Sequence, residues 1–166
     1  MRLKGINQVN KVLNRFLKEY GAKARIGTDF ACYPTDKIIE YTFVTTSLAD
    51  EYFTEFIATR CPDIKADVFL WSFFHELGHI ETIWSLTDEE YNNCRAQKEI
   101  IDLALEIEVG FDKKDLYFQY FQLEDELRAT LWAIDFVQNN SELVADFWQE
   151  LQMAIMKFYK KNKIEC

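Results

Sequence analysis

Apolar residues at Ile6, Val9, Leu13, Phe16, Leu17 and Tyr20 recur at intervals of three and four, which places them on one side of a helix ending near Gly21. A β-rich stretch follows, from about Ala24 to Tyr33 and then from Lys37 to Val44. The turn residues Pro34-Thr35-Asp36 between them predict a hairpin. Ser47 with Asp50 three residues on matches a capping box and opens a second helix through Tyr52, Phe53, Phe56 and Ile57, which should stop before Pro62. A third helix runs from about Ala66 to Thr82, and its segment VFLWSFFHELGHI is apolar on most sides, as expected of a helix central to the core. Thr87 and Glu90 cap a fourth helix reaching about Gly110. Asp115 begins a long fifth that extends to about Gln138, and Asn139-Asn140-Ser141 separates it from a last helix ending near Lys160. The sum is an α+β chain, mostly helical, with a small sheet near its N-terminus.

The 166 residues suit a single domain spanning 1–166, with neither repeat nor linker, and 49% hydrophobic residues with five Gly and two Pro exclude a disordered or low-complexity chain. Lys and Arg number 19 against 28 Asp and Glu, a formal net charge of −9, which repels a phosphate backbone and argues against nucleic acid as a partner. Cys32, Cys61, Cys94 and Cys166 lie too far apart for a zinc knuckle or a dense disulfide framework, so reduced thiols are expected. The N-terminal residues lack the apolar run of a secretory signal, and no stretch approaches the roughly 20 apolar residues that span a bilayer. The expectation is a cytoplasmic protein with no membrane association.

The chemistry concentrates on the third helix. Its histidines, His75 and His79, are the only two in the chain, and Glu76 follows the first. Positions four apart share a helical face, so both imidazoles can address one ion while Glu76 flanks it. Two histidines placed at random in 166 positions fall four apart in about 1% of arrangements, and a Glu beside the first reduces this to roughly one in a thousand. Coincidental buried histidines are therefore the weaker reading. Ser72, His75, Glu76, His79 and Thr82 form one small or polar stripe on an otherwise apolar helix, and buried polar groups need partners that a cation would supply. Zinc suits such nitrogen ligands, and manganese is the alternative; three protein ligands leave a position for water. Gly78, inside the motif, would let another backbone approach closely.

The third ligand cannot be histidine, since none remains, and downstream carboxylates are the natural source. Glu99 and Glu106 follow the motif, but Arg95, Lys98, Glu99, Asp102 and Glu106 share a face, with Arg95–Glu99 and Lys98–Asp102 at i,i+4, which describes a solvated, charge-paired surface. Glu126 is placed differently. Around it Gln119, Gln122, Glu126, Thr130 and Ala133 form a narrow polar or small stripe on an apolar helix, where a lone carboxylate needs a cation. Glu126 is the preferred ligand, with Glu99, Glu124, Asp125 and Glu106 as alternatives and a salt bridge to Arg128 or a lysine as its ordinary explanation.

The segments FFHELGHIET and ELRATLWAIDF, from Phe73 to Phe136, resemble the ImmA/IrrE family of zinc-dependent metallopeptidase-like proteins within the HExxH zincin group. Glu126, Ala129, Thr130, Trp132 and Ala133 occupy the places of the second motif, with Thr130 where Asn is common; a hydroxyl there would suit a partner of a ligand. The resemblance implies a zincin-like fold with the HExxH segment on a core helix, zinc held by His75, His79 and Glu126, and Glu76 as general base. It also implies a phage or mobile-element origin and a protein or peptide substrate such as a repressor. Substrate backbone would pair with the strand Lys37–Val44 if that strand is a sheet edge facing the cleft. Tyr91, Tyr117, Tyr120 and Arg128 are candidate oxyanion donors, but packing or a surface position is the simpler reading of each, and none is named as catalytic. Two other readings keep the metal: a regulatory binding protein that holds a protein partner without cutting it, and a structural zinc module closed by a fourth ligand such as cysteine.

Overall fold

The computed structural model describes residues 5–42, 47–62, 67–107 and 112–162. It is an α+β chain, mostly helical with one three-stranded sheet, and none of its described helices is long and apolar enough to cross a membrane. Two compact units divide the chain: residues 1–42 with 136–166, and residues 43–135.

In the first unit, α1 (Ile6–Leu17) buries Val9, Leu13 and Leu17, the apolar side its three-and-four spacing predicts. A 3₁₀ turn then closes at Gly21, whose φ of 64° places it in the left-handed region that favours glycine, and its N–H caps the carbonyl of Lys18. Strands β1 (Lys23–Ile26), β2 (Ala31–Tyr33) and β3 (Ile38–Tyr41) follow, in the spatial order β1-β3-β2. The Pro34-Thr35-Asp36 turn joins β2 and β3 as an antiparallel hairpin. The expected first strand is two, because the chain turns between Gly27 and Phe30, where Asp29 Oδ1 accepts from the Phe30 N–H at 3.0 Å. This frees β1 to lie parallel to β3 on its other side. The strand considered for substrate pairing is therefore the centre of the sheet: both of its edges are taken by β1 and β2, and Phe43 and Val44 lie outside the described residues. α7 (Ser141–Asn162) packs on α1, with the rings of Phe16 and Phe147 4.4 Å apart.

The second unit contains α2 (Leu48–Arg60), α3 (Val68–Thr82), α4 (Asp88–Ile107), α5 (Lys113–Phe121) and α6 (Glu124–Asn139) as far as Asp135. Both capping boxes form: Ser47 and Asp50 bond reciprocally at the start of α2, and Thr87 and Glu90 do so ahead of α4. Asp67 caps α3 by accepting from the Leu70 N–H, and the expected starting point Ala66 lies outside the described residues, as does Gly110 beyond α4. α3 is buried along nearly its whole length, with Trp71, Phe73, Phe74 and Leu77 fully enclosed.

The expected long fifth helix is two. The chain tightens at Gln122 and Leu123, whose N–H groups reach back to Gln119 and Tyr120, and Leu123 turns into the core. The helix then restarts with three acids, Glu124, Asp125 and Glu126, in the first turn of α6, where the helix dipole favours negative charge. Glu126 thus stands at a helix start.

Candidate metal centre

α3 carries His75 and His79 one turn apart, and α6 presents Glu126 to them. His75 Nε2 lies 2.9 Å from Glu126 Oε2, His79 Nε2 lies 3.4 Å from the same oxygen, and the two nitrogens are 3.1 Å apart. His75 and Glu126 are buried and His79 is partly so. A tetrahedral zinc ion with bonds of 2.0–2.1 Å sets its ligand atoms about 3.3 Å apart, so these three edges match the face of such a tetrahedron. A buried triangle of two imidazole nitrogens and one carboxylate oxygen is a donor set that could hold a metal ion.

The approach of the two helices follows from residue size. Gly78 sits between the histidines on α3, and a Cβ there would lie 2.4 Å from the carbonyl oxygen of Ala129 and 2.9 Å from its Cα. α6 therefore rests its backbone on α3 at this point, with Ala129, Thr130 and Ala133 fully buried beside it. Glu126 lies one turn before Thr130, on the side of the contact that reaches the histidines.

Around the triangle, each ligand is held from behind. The Nδ1–H of His75 donates to Thr130 Oγ1 at 3.1 Å in the tautomer that leaves Nε2 bare. The Phe53 ring packs 4.6 Å from the His75 ring. The other carboxylate oxygen of Glu126, Oε1, accepts from Lys98 Nζ, which also donates to Asp125 Oδ2 at 2.5 Å; Asp125 Oδ1 accepts the Glu126 N–H at 2.9 Å. One Glu126 oxygen is thus occupied by an ammonium and the other faces the imidazoles. Burial works to raise the Glu126 carboxyl, yet without a metal His79 and His75, when protonated on Nε2, oppose this by their charge and their hydrogen bonds and hold it well below the usual carboxylate range. Glu76, half-buried next to His75, is pushed up to about 7 by its withdrawal from water, with His75 opposing that rise and Glu126 adding to it.

The competing acids are placed elsewhere. Glu99 is exposed and pairs with Arg95 at 3.5 Å, Glu106 is exposed, Glu124 pairs with Arg128 at 2.7 Å, and Asp125 points its carboxylate at Lys98. Arg128 is also bonded to Ser85 and Glu90, Tyr120 lies under the Lys98 ammonium, Tyr117 packs on Tyr52, and Tyr91 is exposed. Among the described residues no cysteine joins the donor group, and Cys166 lies outside them.

Lys98 is the participant that the sequence pattern misassigns. It does not pair with Asp102 but crosses to α6. A signal was present: Cys94, Lys98, Ile101 and Leu105 form one seam of α4, and a lysine within a buried seam requires an acid across from it.

Set against protein-family models, curated proteins and solved structures, the chain matches none.

Proposed function

We propose that this protein is a zinc-dependent, zincin-like metallopeptidase that hydrolyses a peptide bond in another protein, with Glu76 as general base. The observation that supports this reading is the convergence of His75 Nε2, His79 Nε2 and Glu126 Oε2 on one point, with Glu76 following His75 on the same helix and its carboxyl within electrostatic reach of His75 and Glu126. The cation would be held by those three atoms; bound there, it would polarise a carbonyl and acidify water.

The remaining work belongs to the chain. Glu76 accepts the proton of the attacking water and returns it to the departing amine. Thr130 fixes the His75 ring by accepting from Nδ1–H, which keeps Nε2 as the ligand atom. Lys98 occupies Glu126 Oε1, so that Oε2 alone turns to the histidines. A protein substrate, a repressor among the candidates, is the partner class this chemistry serves.

Metal analysis of the purified protein after zinc supplementation, with His75→Ala as control, tests the centre. One bound ion per chain that the control lacks is the expected result; a metal-free wild type removes the proposal. Glu76→Gln separates hydrolysis from holding: it should keep the metal and lose cleavage of a fluorogenic peptide library. A variant that cuts as well as the wild type excludes Glu76 as the base. A wild type that binds metal and cuts nothing returns the reading to a metal-containing binding protein.

A further inference from the structure

α4 has two apolar seams on opposite sides. The inner one, Cys94, Ile101 and Leu105 with Lys98 among them, packs on Leu116 and Leu123 of the neighbouring chain segments. The outer one is Ala96, Ile100, Leu103 and Ile107, displaced by two residues along the chain and so about 200° round the helix. Among the described residues none encloses it. Ile100, Leu103 and Ile107 are 68%, 57% and 55% exposed, on a helix whose structural needs are met by its other face. Singly scattered exposed apolar residues are ordinary, but with Ala96 these fall at intervals of four, three and four, the d-a-d-a spacing of a helix that pairs with another, with Ile at both a positions and Ala and Leu at d.

The charges beside the stripe indicate what it meets. Glu99 and Glu106 occupy the positions along one edge, with Asp102 beyond them; Arg95 shares the charge of Glu99 at 3.5 Å, and the edge remains acidic. A second copy of this chain is a poor occupant. It would bring the same acids and another net charge of −9 to the contact. The stripe is also only about 16 Å long, and at a helix width of about 10 Å it covers roughly 160 Å², well short of the roughly 800 Å² per partner that a stable dimer buries. A helix with basic flanks removes both objections, since complementary charge steers the encounter and a small interface suits a transient partner.

We propose that the outer face of α4 docks an amphipathic helix of another protein, whose apolar a and d residues meet Ile100, Leu103 and Ile107 and whose flanking positions carry Lys or Arg. The surface lies on the side of α4 away from Lys98 and does not depend on a metal being bound.

The probes are two synthetic peptides of about three heptads with Leu and Ile at a and d, one with Lys and one with Glu at the flanking e and g positions. Fluorescence anisotropy with the full chain should show the Lys peptide binding at least about tenfold more tightly, with the advantage shrinking as salt is added. Leu103→Glu should weaken that binding about tenfold while leaving the melting curve unchanged, and Ile100→Glu serves the same purpose if the first variant melts early. Glu106→Lys should reduce the preference for the Lys peptide. Equal binding of the two peptides, binding of neither, or binding indifferent to Leu103→Glu and Ile100→Glu overturns the proposal. It is also overturned if sedimentation shows the protein alone dimerising and Leu103→Glu dissociating it, which would make a second copy the occupant.

Discussion

Gly78 and Ala129 meet backbone to backbone: a single added carbon on the glycine would lie 2.4 Å from the Ala129 carbonyl oxygen. This contact sets the distance between the helix that carries the histidines and the helix that carries Glu126. Helix propensity alone would favour alanine at position 78 by about 1 kcal/mol. The clash outweighs it, because the obstructing atoms are main-chain and cannot rotate away, and overpacking of this kind costs about 1–3 kcal/mol.

Gly78→Ala should therefore lower stability in a denaturant melt and, by levering α6 off α3, weaken zinc binding in a chelator competition. Ala129→Gly should not rescue it, since the clash is with atoms that glycine retains. A Gly78→Ala protein more stable than wild type would mean that the two helices are not in contact here.

Thr130 is fully buried with Oγ1 3.1 Å from His75 Nδ1, and it accepts the ring N–H in the tautomer whose Nε2 is bare for a metal. Thr130→Val keeps the shape but removes the acceptor, leaving a buried donor unpaired at a cost of about 1–3 kcal/mol. The ring also loses the contact that fixes its tautomer, so metal affinity should fall about tenfold or more. Thr130→Ser, which keeps the hydroxyl, should retain most of the affinity. Equal affinities for the valine and serine variants in a zinc titration would dismiss the role assigned to this hydroxyl.

What local pattern can show, the sequence displayed. Two histidines at i and i+4 on an apolar helix predict a shared face, and a lone polar stripe on an apolar segment led to Glu126; the structure brings these residues together. Misreadings came where tertiary contacts decide. Apolar periodicity runs straight through Gln122 and Leu123 and so predicts one helix where there are two; the better signal is the three acids that open α6. Lys98 has Asp102 as a plausible partner at i,i+4, but its actual partners lie more than 25 residues away on another helix. The parallel pairing of β1 with β3 depends on a turn at Gly27–Phe30 that is too short to interrupt the hydrophobic pattern.

Glu90 offers a pH test away from the metal ligands. Hydrogen bonds from the Thr87 backbone and hydroxyl, followed by the charge of Arg128, hold its carboxyl below the usual range. A depressed folded value means stability that is present above the ordinary Glu pKa and lost as pH falls through the folded one. NMR titration of the side chain should show the low midpoint, and Thr87→Ala, which removes the hydroxyl but keeps the backbone N–H, should raise it part of the way. An unmoved midpoint in that variant would show that the Thr87 hydroxyl does not stabilise the charged form.

Lys98 and a bound cation address the same carboxylate from its two oxygens, so their effects on stability should oppose each other. Without metal, Lys98 is the cation nearest the buried pair Asp125 and Glu126, and removing one member of a mostly buried ionic cluster costs about 3 kcal/mol. Lys98→Met should therefore destabilise the metal-free protein strongly. Zinc supplies replacement charge at Glu126, so the zinc-saturated variant should lose less, and a smaller loss in the bound state is equivalent to tighter metal binding. Against this stands the orienting contact to Oε1, whose loss from a metal site typically costs 10–100-fold in affinity, about 1.4–2.7 kcal/mol. The repulsion relieved is larger, since two unit charges 4 Å apart at an effective dielectric of about 20 interact by about 4 kcal/mol. Melts of wild type and Lys98→Met with and without zinc give all four stabilities, and the variant should show the greater zinc-induced rise in Tm. A smaller rise would mean that holding the carboxylate in place outweighs the charge competition.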